Sequence, residues 1–275
     1  MNNFTLRTIT GAIFVIVIIG SVLLNHWVFA VLFWLISLAG YYEFTRIARS
    51  LNSSPSLIEG FIISTVTYFL IVCWNFGIIG EKYLYTLLLI PLLVTAYELR
   101  RISSTPLTNI ASGIFGIVWI VIPLALLSGF FNLAEEHKWR ETGLLLGFFL
   151  ILWIYDSGGY IFGSIFGKHR MLERISPKKS WEGFFGGALS GLLIAYIISA
   201  SFTEFKPLEW VLIGVVIIIG GTFGDLVESM LKRNAGVKDS GNILPGHGGI
   251  LDRFDAVLLA APAVYVLIRL LRLIN

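Results

Sequence analysis

The sequence predicts an all-α polytopic membrane protein of about nine transmembrane helices, and three observations predict it. Of its 275 residues, 56% are hydrophobic and only 13% are charged, about half the charged share of an ordinary soluble domain. Mean hydropathy is +0.84, so there is too little polar surface to cover a water-solvated globule. The apolar residues come in runs too long for barrel strands and without strict alternation, which selects helices of about 20 residues each. This composition excludes a soluble enzyme, a disordered chain and a nucleic-acid-binding module.

Taken in order, the apolar runs place spans near 8–24, 27–47, 57–75, 81–98, 107–131, 142–165, 181–203, 208–228 and 254–273. The first run follows Arg7 and has a signal-peptide flavour near Ala30, but apolar sequence continues straight through that point, so an uncleaved span is expected. Cys73, the single cysteine, lies inside the third run, where it reads as a small packing residue. Trp27, Tyr83 and Trp210 fall near span ends, as interface anchors do. In the later spans, Gly159, Gly163 and Gly167, then Gly183, Gly187 and Gly191, then Gly220 and Gly224 repeat at a spacing of four. Small residues so spaced let membrane helices approach closely. They read as packing seams and not as phosphate loops; the stretch from Gly163 to Lys168 is one residue short of a P-loop.

Most of the 20 Lys and Arg residues fall on one side of this plan. Arg46, Arg49, Arg100 and Arg101, the group from Lys168 to Lys179, and the group from Lys232 to Arg253 are all on that side. The positive-inside bias then predicts a cytoplasmic N-terminus and an outside C-terminus. The two long polar loops, 166–180 and 229–253, become cytoplasmic. Residues 1–140 are expected to be scaffold, lipid access or dimer contacts, and 141–275 the catalytic region.

Acidic residues inside apolar sequence are expensive and need a reason. Asp225, Glu228, Ser229 and Lys232 share one helix face by their spacing, and Asp252 and Asp255 are one turn apart entering the last span. Between 225 and 255 there are five carboxylates and four cations. A self-neutralising ion-pair network is the plain reading. The chemical reading is a site for a metal-bound nucleoside triphosphate: carboxylates collect Mg²⁺, which usually takes one or two of them plus substrate phosphates, while Lys232, Arg233, Lys238 and Arg253 hold phosphate oxygens. Pro245-Gly246-His247-Gly248-Gly249 is a tight turn whose glycines allow close backbone approach and an anion nest. His247 is placed to donate to a phosphate, and the residues around it do not make a zinc site.

The second cluster, Lys168 to Ser180, has five cations and one acid. It reads either as an ordinary loop on anionic headgroups or, at Ser176-Pro177-Lys178-Lys179-Ser180, as a site for a lipid or nucleotide phosphate. Asp156 is a further intramembrane acid. Glu43 and Glu98 read as partners of Arg46 and Arg101.

Ser229-x-Leu231-Lys232-Arg233, Lys238-Asp239-x-Gly241 and Leu244-Pro245-x-His247-Gly248-Gly249-Ile250-x-Asp252-Arg253-Phe254-Asp255 together resemble, without departure, the signature of phosphatidate cytidylyltransferases (CDP-diacylglycerol synthases). Gly224-Asp225-Leu226-Val227-Glu228 and Ser176 to Gly183 also resemble that family; residues 1 to about 140 do so only in hydropathy. The resemblance implies transfer of CMP from CTP to phosphatidate, giving CDP-diacylglycerol and pyrophosphate, with Mg²⁺ required. It implies a dinuclear metal centre on Asp225 and Asp252 and a homodimer in the membrane, a bacterial inner membrane being the simplest setting. Lys232 and Lys238 join the two aspartates as catalytic candidates. Ser176, Lys178, Lys179, Ser180, Ser229, Arg233, Asp239, His247, Gly248, Gly249 and Arg253 are the substrate-binding candidates. Two other readings use the same residues. A CTP-dependent polyprenol-type lipid kinase would release CDP. An ion-coupled transporter would use Asp156, Asp225 and Glu228, but its acids would sit at the midplane and not at one face.

Overall fold

The computed structural model describes residues 3–133, 142–243, 246 and 248–274. The chain runs through helices α1 (Asn3–Leu24), α2 (His26–Ser50), α3 (Leu57–Asn75), a 3₁₀ segment (Glu81–Leu89), α4 (Ile90–Glu98), α5 (Pro106–Gly116) and, after a π turn (Ile117–Val121), α6 (Ile122–Leu126). It continues through α7 (Gly143–Phe166), strands β1 (Arg170–Leu172) and β2 (Ser176–Ser180), and helices α8 (Trp181–Ile198), α9 (Pro207–Asn234) and α10 (Leu251–Ile274). Among the described residues, seven helices are long and apolar enough to cross a membrane. Large apolar side chains such as Leu189, Leu193 and Tyr196 on α8 stay exposed, which suits a surface solvated by lipid and not by water.

Local chemistry explains the boundaries. Asn25 separates α1 from α2, its side chain accepting the Trp27 N–H at 2.7 Å as an N-cap. The run at 81–98, expected as one span, is instead a 3₁₀ segment followed by a nine-residue helix. Pro91 sits in the first turn of α4, where its missing N–H is harmless, and so starts a new helix there. Pro106–Phe131 is long and apolar enough to cross as one 26-residue unit, with a π turn inside it. Pro123 cannot donate to the Trp119 carbonyl, and the widened turn accommodates that loss. The loop expected at 166–180 holds an antiparallel hairpin with Arg170 opposite Ser180 and Leu172 opposite Ser176. α9 runs on to Asn234, so the Ser229–Arg233 part of the signature is helical; Gly236, at φ +71°, closes it with the left-handed turn that glycine allows.

Residues 1–129 and 231–254 form one compact unit, and residues 130–230 and 255–275 form another. In the first, Phe254 stands edge-on to Phe33 and Phe14 at 5.6 and 5.5 Å, and the buried Tyr68 hydroxyl donates to the Ala30 carbonyl at 2.8 Å. In the second, the glycine repeats are the packing seams that their spacing predicts. A Cβ at Gly183 would lie 2.8 Å from the Gly159 carbonyl oxygen, one at Gly187 2.7 Å from that of Tyr155, and one at Gly220 2.7 Å from the Ala260 Cα. α7 therefore lies directly on α8, and α9 on α10. Gly187→Ala is expected to cost about 1–3 kcal/mol, as overpacking against rigid backbone does. Gly20→Ala, with open space around it, is expected to be neutral or slightly stabilising. Thermal unfolding in detergent compares the two.

Candidate active site

In the second unit the chemistry gathers around Asp225 on α9. Its Oδ2 meets the Lys179 ammonium at 2.5 Å, with both side chains about one-third exposed or less, and its Oδ1 accepts the Ser229 hydroxyl at 3.1 Å. The hairpin delivers Lys179. Its base is fastened to α8, where Glu182 accepts the His169 N–H and pairs with its ring at 2.6 Å, and the Trp181 N–H donates to the His169 carbonyl. Ser180 is the N-cap of α8, accepting the Gly183 N–H at 3.2 Å. Asp156 on α7 interacts with both Asp225 and Lys179. Asp255 on α10 lies in the field of Asp225, Glu228 and Asp156. Asp225 thus lies in the electrostatic reach of Asp156, Asp255 and the Lys179 cation, and carboxylates near one another attract positive charge.

In the first unit the centre is Asp252, in the opening turn of α10. Its Oδ1 takes the Lys232 ammonium at 2.6 Å, and both side chains are nearly buried, 8% and 11% exposed. Its Oδ2 accepts the N–H groups of Gly249 at 2.7 Å and Ser240 at 2.9 Å, and lies 3.1 Å from the Ser240 hydroxyl. The bond back to Gly249, three residues earlier, ties the residue just ahead of the helix to its first turn. Glu43 on α2 accepts the next two N–H groups, Ile250 at 3.0 Å and Leu251 at 2.9 Å.

The sequence candidates therefore divide. Asp225, Ser229 and Lys179 are engaged in one cluster, with Ser176, Lys178 and Ser180 in the strand that carries Lys179. Asp252 and Lys232 are paired in the other, while Lys238, Asp239 and Arg253 are exposed and the exposed Arg233 donates to the Val237 carbonyl at 3.1 Å. Gly246 and Gly248 adopt φ of +76° and +85°, the left-handed backbone that glycine allows; the Gly249 N–H goes to Asp252. His247 lies outside the described residues. Glu98 holds Arg101 at 3.0 Å as expected. Glu43 does not turn to Arg46: fully buried, it is directed to the signature segment instead. No local signal marks it, because its partners are some 200 positions away.

The donor set fits a hard cation. All the candidate ligand atoms are carboxylate oxygens, the class that Mg²⁺ prefers. Among the described residues no three His, Cys, Asp or Glu side chains gather as a ready-made metal cage; Mg²⁺ usually takes only one or two carboxylates and completes its sphere with phosphate and water. At Asp225 and at Oδ1 of Asp252 a lysine ammonium stands as the neutralising charge.

Comparison with known proteins agrees with the signature. Residues 5–271 match the cytidylyltransferase family. A phosphatidate cytidylyltransferase of Staphylococcus aureus strain COL is 46% identical over 136 residues, 48% of this chain and 52% of that protein. One from Staphylococcus epidermidis is 47% identical over 136 residues, covering the same shares. One from Staphylococcus saprophyticus is 46% identical over 144 residues, 51% of this chain and 54% of that protein. The aligned part of the chain spans about half the length of these curated relatives. With the family match running over nearly the whole sequence and the acidic and basic clusters built from the signature residues, the chain belongs to the cytidylyltransferase family.

Proposed function

We propose that this chain transfers CMP from CTP to phosphatidate, giving CDP-diacylglycerol and pyrophosphate. The observation that carries the reading is the unbroken signature from Ser229 to Asp255, with Asp225 just ahead of it, in a chain whose similar relatives are named for this reaction. In the reaction an oxygen of the lipid phosphate bonds to the α-phosphorus of CTP. The bond from that phosphorus to the β-phosphate oxygen breaks, and pyrophosphate leaves with the electron pair. The lipid phosphate is already an anion near neutral pH, so no general base is assigned. The difficulty is repulsion between two anions, and the residues answer it electrostatically.

Asp225 and Oδ1 of Asp252 would hold Mg²⁺, in a dinuclear centre by family resemblance, and the ion when bound would neutralise phosphate charge. Lys179 and Lys232 keep these two carboxylates neutralised until the nucleotide arrives, and their ammonium groups then serve phosphate oxygens. Exposed Lys238, Arg233 and Arg253 receive the triphosphate and the departing pyrophosphate. Ser176, Lys178 and Ser180 place hydroxyls and charge at the hairpin, for lipid phosphate or nucleotide. The basic loops support a cytoplasmic active site in a bacterial inner membrane, and family resemblance adds a homodimer.

The test is a product assay on detergent-purified protein with phosphatidate and radiolabelled CTP. Label in a CDP-lipid, pyrophosphate release and loss of both on adding EDTA are expected. Release of CDP and a phosphorylated lipid only when a polyprenol replaces phosphatidate would instead establish the kinase reaction.

A further inference from the structure

Glu43 carries a role that neither the signature nor the proposed reaction assigns. It belongs to α2, and its side chain has no solvent exposure. Burying a carboxylate is costly unless donors surround it, and packing alone would be served by leucine or methionine. The donors here all come from one short stretch. Ser240 Oγ and the Leu251 N–H, each at 2.9 Å, donate to Oε2, and the Ile250 N–H, at 3.0 Å, donates to Oε1. Asp252 grips the same stretch through Ser240 N and Gly249 N. Two carboxylates thus pinch together the ends of the loop that runs between Ser240 and Gly249.

Two further observations tie Glu43 to this loop. A Cβ on Gly241 would strike the Glu43 carboxylate, and a Cβ on Gly249 would strike both its oxygens and the Ser240 hydroxyl. Two glycines of the signature are therefore glycines because Glu43 fills the space beside them. The Ser240 hydroxyl also lies between the two acids, 2.9 Å from Glu43 Oε2 and 3.1 Å from Asp252 Oδ2. It has one proton and donates to one of them at a time, so the orientation of one carboxylate is linked to the other.

We propose that Glu43 is a positioning residue of the nucleotide site: acting through Ser240, it orients the Asp252 carboxylate for Mg²⁺ and CTP and fixes Ser240, Ile250 and Leu251 beside it. This rests on the reading of the signature segment around Asp252 as the CTP site. Partners that orient a metal-bound carboxylate typically change metal affinity or activity about 10- to 100-fold when removed. Glu43→Gln puts an NH₂ against a backbone N–H whichever way the amide turns. Ser240→Ala removes only the shared hydroxyl and leaves the two backbone bonds of Glu43 intact, so it is informative even if Glu43→Gln folds poorly.

The experiment is calorimetric titration of CTP into the full detergent-solubilised chain across a Mg²⁺ series, for wild type, Glu43→Gln, Ser240→Ala and the double variant, with product formation measured in parallel. Each single variant is expected to raise the Mg²⁺ needed for half-maximal CTP binding by about tenfold. The double variant is expected to shift no further than Glu43→Gln alone, because the two act along one path. An unchanged Mg²⁺ requirement with merely fewer binding-competent molecules would reduce Glu43 to a fold residue and overturn the proposal. So would shifts that multiply in the double variant. Wild-type protein that binds CTP with Mg²⁺ yet makes no CDP-diacylglycerol would refute the proposed reaction while leaving the Glu43 comparison readable. Wild type that binds no CTP would refute both.

Discussion

Asp225→Asn is expected to lower CDP-diacylglycerol formation by about 100- to 1,000-fold, the range for removing one preorganised charge from a reacting centre, while leaving the protein folded. The separation follows from exposure. Asp225 and Lys179 are 34% and 26% exposed, and a pair that open to solvent is worth at most about 1 kcal/mol. The substituted amide still accepts the Ser229 hydroxyl through its oxygen. Thermal unfolding within a few degrees of wild type, beside a silent product assay, is the expected pair of results. Near-wild-type turnover would remove Asp225 from the metal assignment.

Asp252→Asn is expected to lose activity to the same extent and, unlike Asp225→Asn, to lose stability as well. Asp252 and Lys232 are 8% and 11% exposed. Breaking so buried a pair from one side costs about 3–5 kcal/mol, because the ammonium keeps its charge without that carboxylate. The amide also has to place its NH₂ either toward Lys232 or toward the N–H groups of Gly249 and Ser240, a clash of donors in both cases. Replacing Lys232 by Met in the same chain removes the buried ammonium and is expected to recover part of the stability, with no recovery of activity. Full recovery of turnover in that double variant would show that Asp252 serves only the fold.

How far the sequence is legible depends on the range of the interaction concerned. Helix type and position follow from runs of apolar residues, which report directly on burial in lipid, and the structure has helices where eight of the nine runs stand. The run at 81–98 differs because hydropathy does not register the break that Pro91 introduces at the start of α4. The glycine seams were legible because a four-residue spacing is itself a helix-face statement, and the α7–α8 contact at Gly183 and Gly187 matches it. The pair Glu98–Arg101 was legible for the same reason, being one turn apart.

Pairings across long separations were not. Nothing near Lys179 in the chain indicates Asp225, and nothing near Lys232 distinguishes Asp252 from the other acids of its segment. Glu43 is the clearest case: the adjacent Arg46 offered a satisfactory local partner, yet the carboxylate turns inward to Ser240, Ile250 and Leu251. A buried carboxylate seeks whichever donors the packed helices bring to it, and three N–H or O–H donors, two of them at a helix start, outweigh one solvated guanidinium. The amino-acid sequence by itself determined that the chain is helical and apolar enough to span a membrane and which family it belongs to, since composition, periodicity and a long fixed-spacing motif are all local. Only the tertiary structure decided which lysine each aspartate holds and why Gly241 and Gly249 are glycines. Those are facts about side chains brought together by packing, and the energy that selects them exists only once the water or lipid between them has been excluded.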